Sequence, residues 1–256
     1  MIQKKSNGTY REYGSVLAAL GLQGEEKIRL CAAGAGGKTS LLKRIAMEYK
    51  EKGIPAVVTT TTHMYAEDSP CFLLEPSGEK AEEILKKEGV AFLGKRAGNG
   101  KMKAPDPSWM NEILSFSCPV LIEADGARRL PMKIPGEGEP VYPAETTHVL
   151  YVYGMEALGK PLQEVCFRSE LASALLERRQ TDPVREEDIA GLAMHSGGAR
   201  KKLQNIWKCT IVLSQADEGW KREAAERIGQ MIRGDVLILG RDQAENRRKK
   251  TDENID

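Results

Sequence analysis

A lysine and a threonine directly behind a run of glycines are the residues a protein uses to hold a polyphosphate, and this chain has that arrangement in Ala32-Ala33-Gly34-Ala35-Gly36-Gly37-Lys38-Thr39-Ser40. Glycines let successive backbone N–H groups turn inward around phosphate oxygens, and a helix N-terminus adds partial positive charge at the same point. Lys38 is then expected to reach the β- and γ-phosphates and Thr39 to ligate Mg²⁺, with Gly34, Ala35, Gly36, Gly37 and Ser40 completing the nucleotide contacts. The run departs from G-x-x-x-x-G-K-[ST] at Ala32, where that pattern has glycine. A position needing positive φ would be strained by alanine.

Such a loop needs a carboxylate on a neighbouring strand to hold the metal. Val120-Leu121-Ile122-Glu123-Ala124-Asp125-Gly126 supplies two, and Glu123 and Asp125 share a face if the strand continues, so both are candidate Mg²⁺ groups. Thr59-Thr60-Thr61-Thr62-His63 ends another apolar run, and Thr61 or His63 is a candidate for positioning the nucleophile. Strand filler and an ordinary structural histidine are the alternatives. Arg128, Arg129 and Lys133 follow Asp125 in a stretch expected to be flexible, and together with Arg168 they form a candidate site for an anionic second substrate. Solvated loop charges are the alternative there.

These residues need a scaffold, and short apolar runs alternating with helical patterns predict an α/β protein, three-layered, with a mostly parallel sheet. The expected strands are Ile28–Ala32, Ala56–Thr60, Val90–Leu93, Val120–Glu123, Val149–Tyr153, Thr210–Leu213 and Val236–Leu239. Helices are expected over Thr39–Lys52, Glu79–Glu88, Pro107–Leu114, Ser169–Arg178, Glu186–Met194 and Glu218–Arg233. Gly94–Pro107 reads as a basic loop or turn-rich hairpin, and Leu130–Pro143, dense in proline and glycine, as a loop. One domain over residues 1–240 with a charged tail at 241–256 is the simplest organisation.

Composition narrows the partners. In 256 residues, 38 Lys plus Arg against 37 Asp plus Glu leave a net charge of +1, which argues against a whole-protein field for nucleic acid or anionic membrane. No apolar run approaches the ~18–20 residues of a membrane span, and the start has no leader-like segment, so a cytoplasmic location is expected. Cys31, Cys71, Cys118, Cys166 and Cys209 include no C-x-x-C pair, so neither a disulfide framework nor a zinc finger is signalled. Cys71 and Cys166 are expected to be the less buried thiols.

The chain resembles the YqeC family, described as accessory proteins for selenium-dependent molybdenum hydroxylases. The residues that carry the resemblance are Gly34-Ala35-Gly36-Gly37-Lys38-Thr39, Thr60-Thr61-Thr62-His63-Met64, Glu123-Ala124-Asp125-Gly126-Ala127-Arg128, Leu130-Pro131-Met132-Lys133, Glu139-Pro140-Val141 and Val212-Leu213-Ser214-Gln215-Ala216-Asp217. The resemblance implies a cytoplasmic P-loop protein acting in maturation of a selenium-containing molybdenum cofactor site, with the hydroxylase or its cofactor as partner. This chain has Gly138 where family members commonly carry histidine, and Ser214-Gln215 where they commonly carry Asn-Lys or Asn-Gln. Only Asp217 is left to pair with a guanine edge, so ATP and GTP both stand. The expected function is Mg²⁺-dependent nucleotide binding with hydrolysis or phosphoryl transfer; a small-molecule kinase and a non-catalytic nucleotide-switched scaffold are the rivals.

Overall fold

Val120-Leu121-Ile122-Glu123 shows no polar alternation, and the computed structural model gives the reason. All four residues are buried in a sheet covered by helices on both faces. The structure describes residues 1–24, 27–205, 207–217 and 219–241. Apart from Arg241, the tail expected at 241–256 lies outside the described residues.

Along the chain, β1 (Ile2–Ser6) and β2 (Thr9–Glu12) form a hairpin, and α1 (Val16–Leu20) follows. Strand β3 (Arg29–Gly34) leads into the glycine-rich turn and α2 (Lys38–Glu51) leaves it. Next come β4 (Ala56–Thr60), β5 (His63–Tyr65), β6 (Phe72–Leu73), α3 (Gly78–Glu88), β7 (Val90–Leu93), β8 (Lys95–Ala97) and β9 (Lys101–Lys103). The middle of the chain holds α4 (Pro107–Ser115), β10 (Val120–Glu123) and β11 (Met132–Lys133). The rest comprises β12 (His148–Gly154), α5 (Leu162–Val165), β13 (Cys166–Phe167), α6 (Ser169–Leu176), α7 (Glu186–Met194), β14 (Lys208–Ser214), α8 (Gly219–Met231) and β15 (Asp235–Leu239).

The main sheet runs β2-β1-β15-β14-β12-β3-β10-β4-β7-β6, and only the β1–β2 and β1–β15 pairings are antiparallel. Helices α1 and α2 cover one face through Leu17, Leu42 and Ile45, while residues of α3 to α8 such as Leu85, Trp109, Ile189 and Ile228 pack on the other. This is a three-layer α/β/α architecture. The chain leaves β3 toward β4 on one side and leaves β12 toward β14 on the other, so a crevice opens at the carboxyl end of β3. Strand β10 inserts between β3 and β4, which sets the Glu123 strand directly beside the glycine turn.

Two small sheets finish that rim. Strands β5, β9 and β8 form an antiparallel flap, so Gly94–Pro107 takes the hairpin form. Strands β11 and β13 pair in parallel, which corrects the reading of Leu130–Pro143 as a loop: Met132, Lys133 and Ile134 are buried. No helix among the described residues is long and apolar enough to cross a membrane.

Candidate functional site

The glycine turn is shaped by close backbone approach. Gly34 and Gly36 have φ of 89° and 93°, and a Cβ at these positions would sit 2.3 Å from the Val152 carbonyl and 2.5 Å from the Gly154 nitrogen. Only glycine fits there. Ala32 lies inside β3, before the positive-φ positions begin, so the strain expected from alanine does not arise. Gly37 caps α2 without a side-chain hydrogen bond.

Beneath the turn, charges alternate in sign. Lys38 Nζ donates to the Gly34 carbonyl at 2.6 Å and lies 3.2 Å from Asp125 Oδ1. Asp125, fully buried, accepts from the Gly34 N–H at 3.1 Å and lies 3.0 Å from Lys133 Nζ. Lys133 donates to Gly126 O and Glu139 Oε2, each at 2.6 Å, and Glu139 Oε2 also accepts from Arg168 Nη1 at 2.8 Å. Lys133 is 0% exposed, so it is not a residue of a flexible loop; two carboxylates make its burial tolerable. Burial pushes the Glu139 carboxyl up, but hydrogen bonds from Arg168 and Lys133 and the Lys133 charge outweigh it and lower its pKa to about 2.

Glu123 stands beside this chain of charges and accepts from Thr39 Oγ1 at 2.5 Å. Burial raises its pKa, with the Lys38 charge and the Thr39 hydrogen bond opposing. Thr39 and Glu123 are thereby brought together, with Lys38 and Asp125 alongside.

An open cleft of about 770 Å³ adjoins the turn, and beyond the turn residues its lining includes Tyr65, Lys101, Arg128, Arg129 and Phe167. Ala127–Leu130 is a tight turn closed by Leu130 N–H to Ala127 O at 3.0 Å, with Arg128 and Arg129 at φ of 49° and 62°. Left-handed backbone costs a non-glycine residue roughly 1–2 kcal/mol. The guanidiniums rest on aromatic faces, Arg128 on Phe167 and Arg129 on Tyr65, each 4.7 Å from the ring centre. Lys101 approaches Tyr65 at 5.4 Å and Arg168 stacks on Phe167 at 4.3 Å.

The other candidates are dispersed. His63 is exposed on the flap and lines the cleft. Thr61 does not line it: its N–H donates to Glu123 O at 3.0 Å and its hydroxyl to Val141 O at 3.1 Å, pinning the end of β10 to the proline-rich stretch. Asp217 also lies outside the lining, accepting from the Arg241 N–H at 2.5 Å. Gln215, at φ 61°, does line the cleft, and its Oε1 is buried without a hydrogen-bond partner among the described residues. Cys166 is buried rather than accessible, and burial pushes its thiol up to about 12; Cys71 is half-buried.

Glu139, Tyr65, Lys101 and Phe167 had no site role in the sequence reading. Tyr65 was within reach of it, because residues two apart on a strand share a face and His63 precedes it on β5. Glu139 carried no local signal, since its partners come from β11 and from the start of α6.

Fold and site together define a three-layer α/β protein in which a glycine-rich strand-to-helix turn sets a lysine and a threonine against carboxylates of the adjacent strand and its exit. The YqeC protein family matches residues 30–170. The chain is also 30% identical over 204 residues to Uncharacterized protein YqeC of Escherichia coli (strain K12), a match covering 73% of this chain and 80% of that relative. The chain belongs to the YqeC family.

Proposed function

We propose that the protein binds a magnesium nucleoside triphosphate at the Gly34–Thr39 turn and hydrolyses it or transfers its phosphoryl group, in maturation of a selenium-dependent molybdenum hydroxylase. One observation carries the nucleotide part: consecutive residues of the turn, Lys38 and Thr39, meet Asp125 and Glu123 at 3.2 and 2.5 Å, where the first-turn amides of α2 follow a glycine cap. Phosphate oxygens entering the turn would take those amides and draw Lys38 toward them. Asp125 would retain Lys133 and the Gly34 N–H, so the turn keeps its shape when Lys38 moves.

The donor set fits magnesium. Thr39 and Glu123 offer oxygens already in contact, and among the described residues no group of three or more His, Cys, Asp or Glu could cage a metal alone. That suits an ion that takes one or two protein oxygens, phosphates and water. Thr39 and Glu123 would hold the ion, which would supply positive charge to offset that of the terminal phosphates. Burial raises the Glu123 pKa, and a further cation at that carboxylate would oppose the shift as the Lys38 charge already does.

ATP and GTP are both candidate substrates in this reading, since Asp217 is taken up by Arg241 and Gln215 is the polar side chain lining the cleft next to β14. The maturation role is what the resemblance to the YqeC family implies. Release or transfer of phosphate from ATP and GTP with Mg²⁺, alone and with an apo-hydroxylase, tests the reading. Turnover abolished by Lys38→Ala supports it; turnover indifferent to that change overturns it. Nucleotide-dependent association with the hydroxylase and no turnover would leave a scaffold in place of an enzyme.

A further inference from the structure

We propose that the outer half of the cleft, built from Arg128, Arg129 and Lys101, is a subsite for a second, oxyanion-bearing substrate, a phosphate ester or a carboxylate, bound alongside the nucleotide. This deepens the nucleotide reading by assigning the charge of the other substrate, and it rests on that reading only for what fills the inner half.

The cleft lining holds Lys38, Lys101, Arg128, Arg129 and Arg168 against Glu123 and Glu139. Arg168 is ion-paired to Glu139, and Lys38 to Asp125. Lys101, Arg128 and Arg129 form no ion pair among the described residues and instead lie over Tyr65 and Phe167. A guanidinium stacked on a ring keeps its N–H donors in its own plane, pointing past the ring edge. An aromatic support therefore fixes where these cations sit without using the donors that would grip an oxyanion.

The backbone makes the same point independently. With positive φ at both central residues and a closing hydrogen bond, Ala127–Leu130 is a turn of type I′ character, whose central positions favour asparagine and glycine. Two arginines there are held against conformational preference, and strain of that kind gathers where a side chain is needed for binding. Lys133, buried between Asp125 and Glu139, is a positioning residue that holds the Asp125–Glu139 segment beneath the turn, and Arg168 braces Glu139 from the cleft wall.

Titration calorimetry with phenyl phosphate and with benzoate, on wild type saturated with Mg²⁺ and a non-hydrolysable ATP or GTP analogue, tests the subsite and separates its two chemistries. The comparison variant is Arg128→Gly with Arg129→Gly, which suits the turn better than the native pair. The proposal expects one of the probes to bind wild type and to bind the variant roughly tenfold or more weakly. It further expects analogue affinity to change by less than about twofold and the melting temperature to hold or rise. Equal probe affinity in the variant overturns the subsite, as does failure of both probes to bind wild type. An equally large loss of analogue affinity also overturns it, by assigning the arginines to the nucleotide. If no analogue binds wild type, yet a probe binds in a manner that needs Arg128 and Arg129 and survives Lys38→Ala, the subsite stands and the nucleotide reading falls.

Discussion

The two halves of the cleft both carry cationic side chains, yet they hold them in opposite ways. At and beneath the inner half, Lys38, Asp125, Lys133, Glu139 and Arg168 neutralise one another in sequence, and Asp125 and Lys133 are out of contact with water. In the outer half, Arg128, Arg129 and Lys101 lean on aromatic faces with no carboxylate partner among the described residues. Paired, buried charge fixes the shape of a loop, and loss of one member is severe. Unpaired, exposed charge contributes little to the fold and is free for a ligand. Stability should therefore reside in the inner half, and charge available to an acceptor in the outer.

Asp125→Ala breaks this contrast most sharply if it fails. It leaves Lys38 and Lys133 facing a vacated buried site, and denaturant unfolding should show a loss of about 3–5 kcal/mol. A loss below about 1 kcal/mol would mean that the inner charges do not act as one network. Lys38→Ala comes next: Asp125 keeps Lys133, so stability falls less, while calorimetry should find nucleotide affinity reduced roughly a hundredfold, about 2.7 kcal/mol.

Acid titration sharpens the comparison through Glu139. Its folded pKa is about 2, lowered from 4.5, so the unfolded chain binds the extra proton between these values and stability rises with pH across that window. The contribution is complete above about pH 4.5 and is lost as pH falls toward 2. Glu139→Gln should flatten the measured slope there and lower stability at neutral pH. The smallest expected effect belongs to the outer half, where Arg128→Gly with Arg129→Gly should leave stability unchanged or raise it by roughly 2–4 °C for each kcal/mol of relieved strain.

Much of the framework was legible in the sequence because long apolar runs and helical periods are strong local signals. Val90–Leu93, Val120–Glu123 and Glu186–Met194 have the expected bounds, and the Lys38–Glu51 helix begins one residue early. The hairpin Ile2–Ser6 and Thr9–Glu12 has no strand signal in the sequence, because Gln3, Lys4 and Lys5 are consecutive polar residues in β1 and its place at the sheet edge depends on β15, more than two hundred residues away. Pairs as short as Met132–Lys133 with Cys166–Phe167 have no period to detect. The same distinction governs the site. Lys38, Thr39, Glu123 and Asp125 announce themselves by type and spacing, but the burial of Lys133 depends on Asp125 and Glu139, and composition read its proline-rich surroundings as a loop. Arg128 and Arg129 were legible as charge; that aromatic rings hold them depends on Tyr65 and Phe167, which the topology delivers from a flap and from the strand before α6.

The most direct test of the account is the melting temperature of wild type and Lys38→Ala with ATP and with GTP, each with Mg²⁺. A ligand at about a hundred times its Kd stabilises the folded state by about 2.7 kcal/mol, a rise of several degrees for a chain of this size. The account predicts that rise in wild type with at least one nucleotide and its loss in Lys38→Ala. No rise with either nucleotide, or an equal rise in Lys38→Ala, would contradict it.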